Sequence, residues 1–143
     1  MAAKTTTFDN DLLKLIFNAT PIANIADNAT SSPITNIYIS LHTSSPGVGG
    51  NQSTFEAAYG GYTRISAART AGGWTITGSS VSPVANISFP TAVSGSETET
   101  HFGVGTAVSG AGKLLYFGTI SPNISVSTSV TPILTTASTV TEQ

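Results

Sequence analysis

Apolar residues recur along this chain with two periods, and the period decides the element. Within residues 8–18, Leu12, Leu13, Ile16 and Phe17 return at the three- and four-residue spacings of one helical stripe, with Asp9 and Asp11 near the start, where the helix dipole favours acids. A short amphipathic helix is predicted, and its apolar face must cover either its own sheet or a neighbouring subunit. From Asn36 to His42 the period drops to two, placing Ile37, Ile39 and Leu41 on one face of a strand. Further strands are predicted at residues 62–68, 74–78, 81–89, 101–105, 114–120, 124–126 and 130–135. Gly72-Gly73 suits a tight hairpin, and Gly110-Ala111-Gly112 and Ser121-Pro122-Asn123 close two more turns. Pro83 cannot donate to a ladder, so its strand lies at an edge or carries a bulge there.

The strand spacing predicts an all-β fold, a single-domain β-sandwich of jelly-roll type with a short N-terminal helix. Trp74 and Ile76, together with Ala85, Ile87 and Phe89, are expected to fill the core between the two sheets. The expected division is an N-terminal arm with the helix at 1–34, the sandwich at 35–136 and a tail at 137–143, where apolar alternation fades. No period of the kind that marks propellers or solenoids is visible. Residues 43–61 carry five glycines and Pro46. About 18 residues is long for a connection inside a compact domain unless it is functional or docks on a partner.

Composition sharpens this picture. Charged residues supply only 8% of the chain, with a net charge of -2, while Thr and Ser together supply about 29%. Hydroxyls therefore replace charges on the surface, which suits strands and leaves little electrostatic repulsion between copies. Lys4, Lys14, Arg64, Arg69 and Lys113 are the only basic residues, too few and too scattered to follow a run of phosphates, so no nucleic-acid partner is expected. The absence of cysteine removes disulfides, thiolate nucleophiles and Cys-ligated metals. No apolar run approaches the ~20 residues of a membrane span and none marks a signal peptide, so no membrane partner is expected, and synthesis in a host cytoplasm is.

Several segments imitate chemistry. Ser109 to Leu114 looks like a phosphate loop, but Ala107 stands where the P-loop needs its first glycine, and a strand follows where a helix should. A hairpin turn is the better reading. Glu97 and Glu99 share a strand face as paired carboxylates might, yet no groove is evident, and solvated edge charges are expected. His42 and His101 lack metal spacing, and no Gly-x-Ser-x-Gly elbow accompanies the serines. A carbohydrate-active enzyme on a β-sandwich would need acids around its single Trp, and there are none. The expectation is a protein that is no enzyme, binds no cofactor or metal, and works through surface contacts. The interface candidates are Phe8, Leu12, Leu13 and Ile16 on the helix, with Phe55, Tyr59 and Arg64 in or beside the long loop.

Leu41-His42-Thr43 through Pro46-Gly47, Tyr59-Gly60-Gly61-Tyr62-Thr63-Arg64, Asn86-Ile87-Ser88-Phe89-Pro90, His101-Phe102-Gly103-Val104-Gly105 and Leu114-Leu115-Tyr116-Phe117-Gly118 resemble small β-rich virion proteins of tailed bacteriophages. The likeness covers about residues 36–135. It implies a virion structural protein. The compact size and the lack of shaft repeats or heptads point to a capsid cement or decoration protein on the capsid surface. Such a protein would bind the phage major capsid protein and itself, as a dimer or trimer. The alternative is a tail-fibre or collar component with a receptor- or glycan-binding role.

Overall fold

The computed structural model describes residues 5–22 and 34–142. Lys4, most of the loop expected from Pro21 through Ser32-Pro33, and Gln143 lie outside them. In chain order the elements are α1 (Thr6–Asn18), β1 (Asn36–His42), β2 (Ile65–Ala68), β3 (Trp74–Thr77), β4 (Ser80–Pro83), β5 (Ile87–Ser88), β6 (Ser96–Gly105), β7 (Leu114–Ser127), β8 (Ile133–Leu134) and β9 (Val140–Thr141). They form two compact units, each built from separated stretches of chain.

The first unit gathers the described parts of Met1–Asn36, Ala68–Asn86 and Thr135–Gln143. Thr5 caps α1, its hydroxyl accepting from the Phe8 N–H at 3.3 Å. At the other end Ala19 turns left-handed at φ 53°, and the Thr20 N–H reaches back to the Lys14 carbonyl at 3.1 Å. Leu13 and Phe17 are buried while Leu12 and Ile16 are half-buried. The stripe finds its cover within its own unit: α1 lies against β3 and β4, and Phe17 meets Trp74 edge-on with ring centroids 4.8 Å apart.

These strands form an antiparallel sheet of order β3-β4-β9. The segment expected to be a tail thus supplies a strand, Val140 pairing with Val81. Pro83 ends β4 opposite Trp74, beyond the residues that pair with β9, so β4 is an edge where its proline stands. Arg69 closes the unit, donating to the carbonyls of Ile16 at 2.6 Å, Leu15 at 2.7 Å and Ile34 at 2.6 Å.

The second unit holds Ile37–Ala67 and Ile87–Leu134. Its main sheet has the order β2-β1-β6-β7, and β5 pairs with β8 in a separate ribbon. Ile37, Ile39 and Leu41 are buried as their alternation requires, together with Tyr59, Phe89, Val104 and Val126. The run expected at 81–89 divides after Pro83, β4 joining the first unit and β5 the second, which leaves Ala85 exposed. The runs expected at 114–120 and 124–126 are one strand, β7, whose ladder with β6 is interrupted at residues 120–123 opposite Thr100. A jelly roll divides eight strands between two sheets. The nine among the described residues divide four, three and two, so these residues form a mostly β fold with several antiparallel sheets and one short helix.

Candidate functional site

Residues 43–61 were expected to be a long polar loop, and polar side chains below it fix its course. Its two ends are pinned beside β1: the Thr43 N–H donates to Phe55 O at 2.9 Å, and the Ala57 N–H donates to Leu41 O at 2.8 Å. On the β1 face opposite Ile39, Ser40 and His42 are also fully buried. Burial pushes the His42 imidazole below its ordinary pKa, against the pull of the Thr54 carbonyl and Glu56. The neutral ring donates from Nδ1 to Thr54 O and accepts the Ser40 hydroxyl at Nε2, both at 2.8 Å.

Gln52 is the loop's second fixed point. It is fully buried, its side-chain Oε1 accepting from the Ala107 N–H at 2.9 Å and its backbone N–H donating to Gly112 O at 3.0 Å. A Cβ at Gly105 or Gly112 would collide with the Gln52 side chain, and one at Gly103 with Ser40 and His42. The glycines of the His101–Gly105 stretch therefore make room for polar side chains under the loop.

Two charged centres hold the rest. Arg64, only 6% exposed, makes a bidentate ion pair with Glu56, Nε to Oε1 at 2.6 Å and Nη2 to Oε2 at 2.7 Å. It also donates to Ala107 O at 2.9 Å and Gly110 O at 2.7 Å, tying this loop to the β6–β7 connection. The Tyr62 hydroxyl completes the centre, donating to Glu56 Oε1 at 3.0 Å while accepting the Leu41 N–H at 3.1 Å; burial raises its pKa strongly.

The second centre is the Glu97–Glu99 pair. Glu97 Oε1 accepts the Ala58 N–H at 2.8 Å and the Tyr59 N–H at 2.9 Å. Glu99 is fully buried, and burial, reinforced by its hydrogen bond and charge interaction with Glu97, raises its pKa from 4.5 to about 8. No described donor reaches either Glu99 oxygen, so nothing offsets the cost of burying a charge there, which favours the neutral carboxyl. The same surroundings push Tyr59 up to about 12, with its hydroxyl donating to Pro90 O at 3.0 Å.

These placements separate the candidates. Phe55 is 58% exposed and holds a left-handed backbone at φ 53°, a costly conformation for a bulky residue, fixed by the Thr43 bond to its carbonyl. Val48 on the same loop and Val108 on the β6–β7 connection are exposed too, and a surface pocket of about 220 Å³ opens between Glu56, Tyr62, Thr63, Arg64 and Val108. Tyr59 and Arg64 are buried rather than exposed: Tyr59 packs edge-on against Tyr62 at 5.3 Å, and Arg64, at the floor of that pocket, is held in the ion pair. In the first unit Phe8 is 37% exposed and Leu13 is buried. Glu99 is not a solvated edge charge, because its strand position faces inward under the loop's return. Sequence reasoning passed over Gln52 and Glu56. The signal that could have found Gln52 was the alternation of Gly103 and Gly105 within an otherwise bulky strand.

Chemically, this arrangement immobilises irregular backbone. His42, Arg64 and Glu97 spend polar atoms on loop carbonyls, loop N–H groups or the Glu56 carboxylate, and the exposed side chains of the loop include the apolar Val48 and Phe55 beside Ser44, Ser45 and Ser53. Among the described residues no three His, Asp or Glu side chains gather to hold a metal, and no helix is long and apolar enough to cross a membrane. The described residues form a small β-rich protein that holds Val48 and Phe55 exposed on a braced loop. Residues 3–141 match the family described as podophage GP4 fiber I protein gp80, and the chain belongs to that family. It is a small bacteriophage virion protein of the fibre type, in line with the resemblance read from its motifs. No curated protein matches it.

Proposed function

We propose that this protein is a non-enzymatic fibre subunit of a podophage virion, and that it works by presenting the braced 43–61 loop to a neighbouring virion protein. The family match over residues 3–141 supports the fibre assignment, which it fits at least as well as the capsid-cement role. The loop supports the mode of action: a ring held at 58% exposure on fixed backbone loses little freedom when a partner covers it. With Arg64 and Arg69 turned to internal carbonyls, three lysines are left in the sequence, which suits a protein partner better than a nucleic acid or an anionic membrane. Immunogold labelling of intact virions tests the position. Label on the tail appendages is expected, and label spread over the head would overturn the fibre assignment in favour of cement. Phe55→Ser should yield a folded protein that is poorly incorporated into virions, and normal incorporation would move the contact away from this loop.

A further inference from the structure

We infer that Glu97 and Glu99 form a proton-operated latch on the return of the 43–61 loop, in which the protonated Glu99 carboxyl donates to Glu97 and so holds the Glu97 carboxylate against two loop amides. The inference concerns regulation of the loop proposed above as the contact. Its test reads the loop itself, so the latch stands or falls whether or not Phe55 meets a partner.

The return is fastened at three places. The Ala57 N–H donates to Leu41 O at 2.8 Å, and Gly60 makes two backbone bonds of 2.9 Å, one to Ser94 O and one from the Val93 N–H. Between these, the Ala58 and Tyr59 N–H groups both donate to Glu97 Oε1, at 2.8 and 2.9 Å. The outer fastenings join backbone to backbone and hold no proton that pH removes. The middle one depends on where a single carboxylate points.

Glu99 decides where it points. It lies two residues along β6, on the same face of the strand, and is fully buried while Glu97 is half-buried. Glu99 hydrogen-bonds Glu97, and such a bond between two carboxyl groups requires one proton; burial gives it to the more enclosed partner. The titratable groups that bear on Glu99 are themselves acids, Glu97 from its own strand and Tyr59 from the return. Opposite it, β7 is uncharged from Leu114 to Ser127. His101 lies past the interruption in the ladder, its Nδ1 on Thr100 Oγ1 at 2.8 Å. Once the proton leaves, two like charges touch and the buried one has no donor to steady it. The half-buried Glu97 is the one that can turn to water, and it lets go of Ala58 and Tyr59 as it does. Because the Glu99 pKa is raised to about 8, the latch is closed at neutral and acid pH and opens as pH rises through that value.

Nuclear magnetic resonance on the full chain tests this, following the amide nitrogens of residues 57–60 by carbon detection, which amide exchange does not erase, from about pH 6 to about pH 9. In the parent protein the Ala58 and Tyr59 nitrogens should shift with one shared inflection near pH 8, several times further than those of Ala57 and Gly60. Glu99→Gln still donates to Glu97 but has no proton to lose, and should keep the low-pH positions throughout. Glu99→Met, of similar length and without a donor, should show the released positions even at low pH. A parent protein without that inflection at Ala58 and Tyr59, a glutamine variant that titrates as the parent does, or glutamine and methionine variants with the same positions would overturn the inference.

Discussion

Each unit of this protein commits one arginine to irregular backbone, and the two arginines do so on different terms. Arg69 in the helical unit meets only carbonyls, two of them at the end of α1, where the partial negative charge of the helix stands in for a counterion. It is half-buried, and its bond to Ile34 O is exposed. Arg64 in the other unit is almost fully buried and meets a full carboxylate as well as two carbonyls. A helix terminus with solvent nearby can hold a guanidinium without an acid. A buried loop crossing cannot, because the desolvated charge needs a compensating charge at hydrogen-bond distance.

Removing each residue in turn breaks or sharpens that contrast. Arg64→Ala leaves Glu56 without its partner and should lower unfolding stability by about 3–5 kcal/mol in denaturant melts. Arg64→Lys should restore only part of this, because an ammonium cannot reproduce the bidentate fork. Trp74→Ala is the comparable lesion in the helical unit, expected at about 3–5 kcal/mol from the cavity it opens beside Phe17; a mild loss would mean that the indole is peripheral to that core.

Glu99→Gln tests the second loop centre through pH. Because the Glu99 pKa is raised in the folded protein, the folded state holds one more proton than the unfolded chain between pH 4.5 and about 8. The parent should therefore lose stability as pH rises through that window and level off above it, by an amount on the order of a few kcal/mol. The glutamine variant should lack this slope and be the more stable protein at pH 9. Parallel profiles would place Glu99 in contact with solvent.

Arg69→Ala should cost less, about 1–3 kcal/mol, as carbonyls released at a helix end can be rehydrated. A loss equal to that of Arg64→Ala would erase the distinction between the units. The smallest effect is a gain. Ala19→Gly relieves the left-handed turn that ends α1 and should add about 0.5–1 kcal/mol.

What was legible in the sequence was whatever a local period can carry. The β1 alternation, the α1 stripe and the burial of Trp74 all follow from residues a few positions apart, and the Gly110 turn follows from its glycines. The features that escaped depend on distant pairing. Glu97 and Glu99 look like surface charges until the Ala58 and Tyr59 backbone folds over them from 38 or more positions earlier. Arg64 reads as a surface group or interface anchor because Ala107 and Gly110 lie 43 and 46 residues away. The terminal β9 is too short to show a period, and it forms only because β4 offers Ser80 and Val81. Ser121-Pro122-Asn123 carries turn chemistry, yet β6 continues past it and holds both sides in one strand.

The most direct test of the braced loop is hydrogen exchange at its return, read at the amides of Ala57, Ala58 and Tyr59. These three N–H groups donate to Leu41 O and Glu97 Oε1. Protection approaching that of the β1 amides is predicted, to be lost at Ala58 and Tyr59 in Glu97→Ala. Exchange at the rate of an unstructured loop in the parent protein would contradict a pre-formed platform for Phe55.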